Sequence, residues 1–281
     1  MSDLTTDPRH SSRQLIKDTV DPALWAQNEA FTRRLVQTMQ AHRLHNHPIL
    51  DAWKAGEFTM DGIRLVHMEV RAAFLEVFTE SLLRLMQTTS QLEPTHGYKA
   101  KLAARFLVQL NVLEELGFQP DAKGTGDFVG HPSLAHYWRL ADAMTTLGLT
   151  EADWRGHQPS PEAAATRRTM DENQDDHLKL AVLLAGIETV FMPYYSPWAM
   201  NSLKVCPALN VPNGYHSVHV EDDEGHFVDD DHSEDSWYVV RQALTPARYD
   251  EIEHFTAGLL DIWAGLFDSL LARGREMRRA A

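Results

Sequence analysis

The sequence predicts an all-α protein that folds as a single domain. Apolar residues recur at three- and four-residue spacing over long segments, which is the periodicity of amphipathic helices. Strand-like alternation is weak, and the glycine- and proline-rich stretches are too short to link separate domains. The chain has 281 residues, 43% of them hydrophobic, so a sizeable core is available. We expect a flexible N-terminal arm over residues 1–20 and one helical domain over residues 21–281.

The individual helices follow from capping residues and apolar periodicity. The first begins at Asp21, a good N-cap residue that is followed by Pro22. HPILDAWKAGEFTMDGIRLV then predicts a short helix, a glycine turn and a restart. Gly117 and Gly148 are typical of helix ends. The longer predicted helices cover residues 21–40, 61–86, 98–116, 132–147, 176–203 and 246–275, with a kink expected at Pro193 and Pro197.

Three stretches are not expected to form long helices. FQPDAKGTGDFVGHP, residues 118–132, has the glycine and proline content of a loop. Residues 155–172 are polar and indicate a loop or a short helix. YHSVHV, residues 215–220, alternates only weakly, so no hairpin is predicted.

Composition excludes several classes of function. The formal charge of −14 disfavours nucleic-acid binding, which needs a basic surface, and docking to an anionic membrane. Cys206 is the only cysteine, so no intramolecular disulfide forms, which fits a reducing cytoplasm. The first residues lack the apolar core of a signal peptide, and no run of about 18 apolar residues indicates a transmembrane helix. We expect a cytoplasmic protein with a small-molecule substrate and no nucleic-acid or membrane partner.

Glu188 is the most informative single residue. It lies in LKLAVLLAGIETVFMPYY, where apolar side chains occupy nearly every side of the predicted helix. A helix that is hydrophobic all round is buried, and a buried carboxylate is costly unless it is paired or bound to a metal. The alternative is a buried glutamate that an arginine or hydrogen bonds satisfy.

Two further segments offer candidate ligands. On a helical wheel Glu114 falls within the apolar stripe of its helix and Glu115 on its flank, so either could point inward. The alternative is a pair of surface glutamates near a helix end. His136 begins the next helix, with His131 in the loop before it, and a single histidine in this position is more often structural.

The acidic stretch HVEDDEGH completes the candidate set. On a helix, His219, Asp223 and His226 would share one face, because their spacing of four and three residues matches the helical repeat. A solvated acidic segment is an equally good interpretation of these residues alone. Taken with one glutamate of the Glu114–Glu115 pair, His136 and Glu188, however, they make a set of carboxylates and imidazoles without a thiolate, which suits iron or manganese. Helical bundles build dinuclear carboxylate sites from such inward-facing side chains.

These four segments resemble those of the heme-oxygenase-like diiron oxidases. NVLEELG is similar to the family's Asn-xxx-Glu helix end, which selects Glu115. HYWRLADAMTTLGL is similar to the segment in which a ligand histidine lies twelve residues before the glycine of a Leu-Gly turn, which selects His136. AGIETVFMPYYSPW resembles the helix with the third ligand, Glu188, and HVEDDEGH matches the closing His-xxx-Asp-xx-His motif. The similarity runs from about residue 20 to about residue 270.

The resemblance implies a heme-oxygenase-like helical bundle that holds two iron ions and uses O2 as co-substrate. The implied ligands are Glu115, His136, Glu188, His219, Asp223 and His226. The implied reactions are N-oxygenation or oxidative cleavage of an amino acid or an amine derived from one, in specialised metabolism. Oxidative decarboxylation or desaturation of a fatty-acid-type substrate is the alternative. The family often forms dimers, so a homodimer is expected.

The chain departs from the family pattern in ways that leave alternatives open. The loop before His136 is longer than in the family, so His131 remains a substitute ligand. FVDDDHSED, residues 227–235, resembles an insertion in which Asp229 and His232 imitate the end of the closing motif. Competing interpretations are a metal-free thiaminase-like hydrolase with Cys206 as nucleophile, a cofactorless oxidase of the same fold, and a helical protein without catalytic activity.

Overall fold

The predicted all-α, single-domain class is confirmed. A computed structural model describes residues 7–120, 128–211, 214–216 and 230–281. Within these ranges the α-helices are α1 Pro8–Asp18, α2 Pro22–Ala41, α3 Pro48–Lys54, α4 Met60–Ala73, α5 Phe78–Thr88, α6 Glu93–Glu115, α7 His136–Thr146, α8 Glu151–Gly156, α9 Pro161–Glu172, α10 His177–Val205, α11 Asp230–Ala243 and α12 Tyr249–Ala280. Short 3-10 turns occupy Leu75–Val77, Thr89–Leu92, Pro132–Leu134 and Pro246–Arg248.

Side-chain caps mark the start of several helices. The side chain of Asp21 accepts hydrogen bonds from the backbone of Ala23 and Leu24 at the start of α2. Asp176 caps α10 in the same way, and Ser160 caps α9. Each cap satisfies backbone N–H groups that have no partner inside the helix. These local signals explain why the starts of α2 and α10 could be predicted from the sequence.

Helix α10 forms the centre of the core. It packs against α3, α5, α11 and α12, and Leu180, Leu183 and Leu184 are completely buried. The helix is apolar on all sides, and other helices pack around it and bury these apolar side chains. The helix remains continuous through Pro193 and Pro197. This central position carries Glu188 into the interior.

The predicted helix over residues 61–86 is interrupted. Helix α4 ends at Ala73, the Leu75–Val77 turn follows, and α5 begins at Phe78. The backbone leaves helical geometry at Phe74, whose ring is buried 5.1 Å from that of Phe191. Tertiary packing therefore overrides the continuous helical pattern of the sequence. The interruption determines which way the neighbouring side chains face.

The described part of the expected flexible arm is mostly helical. Residues 8–18 form α1, which packs against α6 and α11 and buries Ile16 completely. Arg9 pairs with Glu114 and Asp235, and Arg13 pairs with Asp235 at 2.6 Å. The charged residues that suggested an arm form ion pairs with residues from distant parts of the chain. The local sequence therefore gives no sign of these partners.

A pair of short strands and helix α11 were not expected from the sequence. Strands β1 Phe118–Pro120 and β2 Phe128–Gly130 form a short antiparallel pair where a loop was predicted. Helix α11 begins at Asp230, so the end of the acidic segment that resembles an insertion is part of a helix packed on α10. Its apolar face includes Trp237 and Val240, both buried.

Within the part of the chain that the structure describes, two helices are long and apolar enough to cross a membrane by length and composition. They are His177–Val205, with 67% of its most apolar window buried in the protein, and Pro246–Ala280, with 44%. The sequence analysis predicted no transmembrane helix. Buried core helices meet the same criterion, and α10 is such a core helix, so the observation is weak evidence for a membrane role.

Candidate metal centre

Three of the six predicted ligands line one internal cavity. Glu115 at the end of α6, His136 at the start of α7 and Glu188 in the middle of α10 all face it. We call this space, of about 50 Å³, the carboxylate cavity. The rest of its lining is mainly apolar and aromatic: Leu75, Phe78, Thr79, Tyr137, Leu140, Ile187, Met192, Tyr195 and Tyr215.

Glu115 and Glu114 have different surroundings although they are neighbours. Glu115 is buried and lines the carboxylate cavity. Glu114 accepts a hydrogen bond from Arg9 of α1, and its side chain is 25% exposed. Helical periodicity alone leaves both residues possible as ligands, and the helical wheel favours Glu114. The packing of α1 against α6 supplies the arginine that holds Glu114 away from the cavity.

His136 approaches Glu115 closely. Its Nδ1 atom lies 2.8 Å from Glu115 Oε1. Gly117 makes this approach possible, because its positive φ of 87° ends α6 and its carbonyl accepts a hydrogen bond from His131 N. His131 itself is exposed and caps the Pro132–Leu134 turn. The structure thus brings His136 to the cavity and leaves His131 outside it.

Glu188 faces the carboxylate cavity from the opposite side. Only 9% of the residue is exposed, and Ser236 Oγ in α11 donates a hydrogen bond to its Oε2 atom at 3.0 Å. Thr189, the next residue, accepts a hydrogen bond from Trp237 Nε1. These two bonds fasten α11 to α10 beside the cavity. Ser236 is a site residue that the sequence analysis missed, because its helix was not predicted.

The remaining predicted ligands, His219, Asp223 and His226, lie outside the described residues. So does Asp229, whereas His232 falls in the first turn of α11. The chain on both sides of this segment reaches the site: Tyr215 lines the cavity and Ser236 contacts Glu188. His219 is four residues beyond Tyr215 in the sequence.

The chemistry of the three placed donors suits a metal ion. Two donor atoms bound to one ion at about 2.1 Å each, at about a right angle, lie about 3 Å apart. The spacing of 2.8 Å between His136 Nδ1 and Glu115 Oε1 is close to this value, and it is equally the spacing of a direct hydrogen bond. Over the described ranges, no group of three or more His, Cys, Asp or Glu side chains is arranged to hold an ion. The donor set is therefore a partial one in the part of the chain that the structure places.

A second cavity, of about 30 Å³, adjoins the first one. The two share Leu75, Ile187 and Tyr195. The second is also lined by Phe191, Tyr194 and Trp198. Tyr194 donates to the carbonyl of Leu44, and burial raises the pKa of its hydroxyl, so it remains a neutral donor. The carboxylate cavity thus lies beside an aromatic interior.

Cys206 is removed from the carboxylate cavity. Its thiol is buried and lies 3.7 Å from the carbonyl of Thr146. It does not contribute to the lining of the cavity. This position does not favour the interpretation in which Cys206 is a nucleophile at the same site.

Comparison with known proteins gives no relative: neither a family model nor a curated protein matches the chain.

Proposed function

We propose that this protein is an O2-dependent non-heme diiron oxidase that acts on a small organic substrate. The observation that carries the proposal is the convergence of Glu115, His136 and Glu188 on one cavity. These residues come from three helices that are far apart in sequence. Their residue types and motif positions in the sequence predict all three as ligands. In a helical protein whose acidic residues cluster only by chance, these three side chains would have no reason to line the same cavity.

The described residues have separate tasks in this proposal. Glu115, His136 and Glu188, with His219, Asp223 and His226, would hold two iron ions, which supply the binding and reduction of O2. Ser236 fixes the orientation of Glu188 through its hydrogen bond. The apolar walls, such as Leu140 and Ile187, exclude water from the site.

The proposed substrate is an amino acid or an amine derived from one, and the proposed reaction is N-oxygenation or oxidative cleavage. A second candidate is the oxidative decarboxylation or desaturation of a fatty-acid-type substrate. The adjoining aromatic cavity favours it, because a hydrocarbon chain could extend past Ile187 toward Phe191 and Trp198. Among the described residues, neither cavity has a lysine or arginine in its lining to bind a second charged group.

Iron binding tests the proposal most directly. The purified chain would be loaded with ferrous iron without O2, desalted and analysed for bound metal, and O2 uptake would then be followed. We expect about two irons per chain, as dinuclear helical-bundle sites hold. Glu188→Ala and Glu115→Gln should lower the bound iron and abolish turnover while the circular dichroism remains helical.

Glu114→Gln is the matched control, because it changes the neighbouring carboxylate outside the cavity. Iron content in this variant should equal that of the unaltered chain. The proposal is overturned if the unaltered chain takes up no iron above background. It is also overturned if Glu188→Ala and Glu115→Gln bind as much iron as Glu114→Gln.

A further inference from the structure

A cleft rich in arginine lies on the other side of the Leu75–Val77 turn from the carboxylate cavity. It has a volume of about 480 Å³ and is formed by the end of α4 together with α8 and α9. We call it the arginine cleft. Its cationic side chains are Arg71, Arg155, Arg167 and Arg168.

The local charge of the arginine cleft is opposite to that of the whole chain. Four arginines line it against two carboxylates, Glu76 and Asp171, in a protein whose formal charge is −14, and Arg155 also pairs with Glu151 beside the cleft. Arg167 is engaged by both carboxylates, at 3.4 Å from Glu76 and 3.0 Å from Asp171. Arg168 is exposed and makes no ion pair or hydrogen bond with any described residue. The cleft therefore has an excess of positive charge that would attract an anion.

Two buried N–H donors of the cleft also lack acceptors. Arg71 is 7% exposed, and neither its Nε atom nor the Nε1 atom of Trp154 has a hydrogen-bond partner among the described residues. The rest of the Arg71 guanidinium is held in place, by Glu76 at 3.0 Å and by the carbonyl of Trp154 at 3.0 Å. Buried polar groups are rarely left without a partner. Both atoms are shielded from solvent in the wall of the cleft, so an acceptor that satisfies them would have to enter between these side chains.

The ligand chemistry follows from these donors. Guanidinium groups bind carboxylates and phosphates through paired, charge-assisted hydrogen bonds. The apolar surfaces of Pro159 and Ala164 complete the wall and could contact a carbon skeleton. We propose that the arginine cleft binds a small organic oxyanion, a phosphate or a carboxylate, with Arg71, Trp154 and Arg168 as its donors. This site is separate from the proposed iron ligands and does not depend on them.

The proposed site is connected to the carboxylate cavity through one contact. Arg71 donates to the hydroxyl of Tyr137 at 3.3 Å, and Tyr137 lines that cavity next to His136. Glu76, which holds Arg71, follows Leu75 in the turn between the two spaces. An anion bound to Arg71 would thus lie one side chain away from the cavity wall.

Binding of inorganic phosphate and of succinate to the full chain tests the proposal. Each would be titrated by calorimetry at constant ionic strength, with chloride as the reference anion. We expect saturable binding of at least one of them. Preference for phosphate would identify a phosphorylated ligand, and preference for succinate a carboxylate ligand; both results support the site. Absence of saturable binding by either, or equal binding of chloride, would overturn it.

Substitutions then locate the binding. Trp154→Phe replaces the indole with a smaller aromatic ring that has no N–H donor. Arg168→Gln removes an exposed charge. We expect each to weaken binding about tenfold, the effect of one hydrogen bond to a charged group. Arg275→Gln is the matched control, because Arg275 pairs with Glu57 outside the cleft. Equal weakening by Arg275→Gln and Arg168→Gln would show a general charge effect and refute the site.

Discussion

Replacing Glu69 with glutamine should destabilise the fold by removing a buried charge at the meeting point of α4, α9 and α12. Glu69 is completely buried. Its carboxylate accepts hydrogen bonds from the backbone N of Ser160 at 3.0 Å, from Ser160 Oγ at 2.7 Å and from Arg273 at 2.9 Å. His157 Nε2 lies 3.4 Å away. An amide has one acceptor oxygen instead of two and presents N–H donors to the same partners.

The size of the effect follows from these partners. Breaking a buried charge pair costs about 3–5 kcal/mol when the remaining charge stays buried. The side chain of Arg273 is 36% exposed, so water partly replaces its lost partner. We therefore expect Glu69→Gln to lower the free energy of unfolding by about 2–3 kcal/mol. The melting temperature should fall by about 5–10 °C.

The effect should also depend on pH. Burial alone would raise the pKa of Glu69, but hydrogen bonds from Ser160 and Arg273 outweigh burial and hold it below its ordinary value of 4.5. Because the folded-state pKa is lowered, the stabilisation is complete above the unfolded pKa. It disappears as the pH falls through the folded pKa. The difference between the two chains should therefore shrink in acid.

Urea unfolding of both chains at pH 7 and at several lower pH values measures this difference. Glu253→Gln, at an exposed position of α12, should change stability by less than about 0.5 kcal/mol. A loss of that small size in Glu69→Gln would refute the reasoning. So would a difference that grows as the pH is lowered.

Two further substitutions test the packing around the carboxylate cavity. Phe74→Ala should destabilise the chain by about 3–5 kcal/mol in urea unfolding, because it empties a buried site against Phe191 and Trp263. Tyr98→Ala, at a side chain that is 59% exposed, should have little effect. Equal losses of stability in the two variants would contradict the place of Phe74 in the core. Gly117→Ala should cost about 1–3 kcal/mol, since φ is 87° and a Cβ atom would lie 2.6 Å from backbone atoms before α7. Unchanged thermal stability in Gly117→Ala would show that this turn is not strained by a side chain.

The sequence was sufficient for features that depend on neighbouring residues. The start of α2 at Asp21 and the start of α10 after Asp176 follow from caps that satisfy the first backbone N–H groups. The burial of α10 follows from its apolar residues on every face, and Glu188 is therefore buried. The all-α class needs no more than these patterns.

The sequence was less informative where distant segments meet. The break between α4 and α5 depends on the aromatic packing of Phe74, which no helical repeat reveals. The polar N-terminal segment became α1 because Arg9 and Arg13 find Asp235 across the fold. Ion pairs between residues so far apart in sequence have no local pattern.

The candidate site also has features that the sequence predicts and features that depend on tertiary structure. The residue types and their order indicated a site of carboxylates and imidazoles that includes Glu188, and helical periodicity left Glu114 and Glu115 both possible, with Glu114 favoured. Tertiary structure separated the two, because α1 supplies Arg9 to Glu114 while α7 brings His136 to Glu115. The sequence by itself determined which chemistry the chain can offer, since that depends on side-chain types. Only the packing of helices decided which of those side chains share a cavity, since that depends on contacts between segments that the local pattern does not connect.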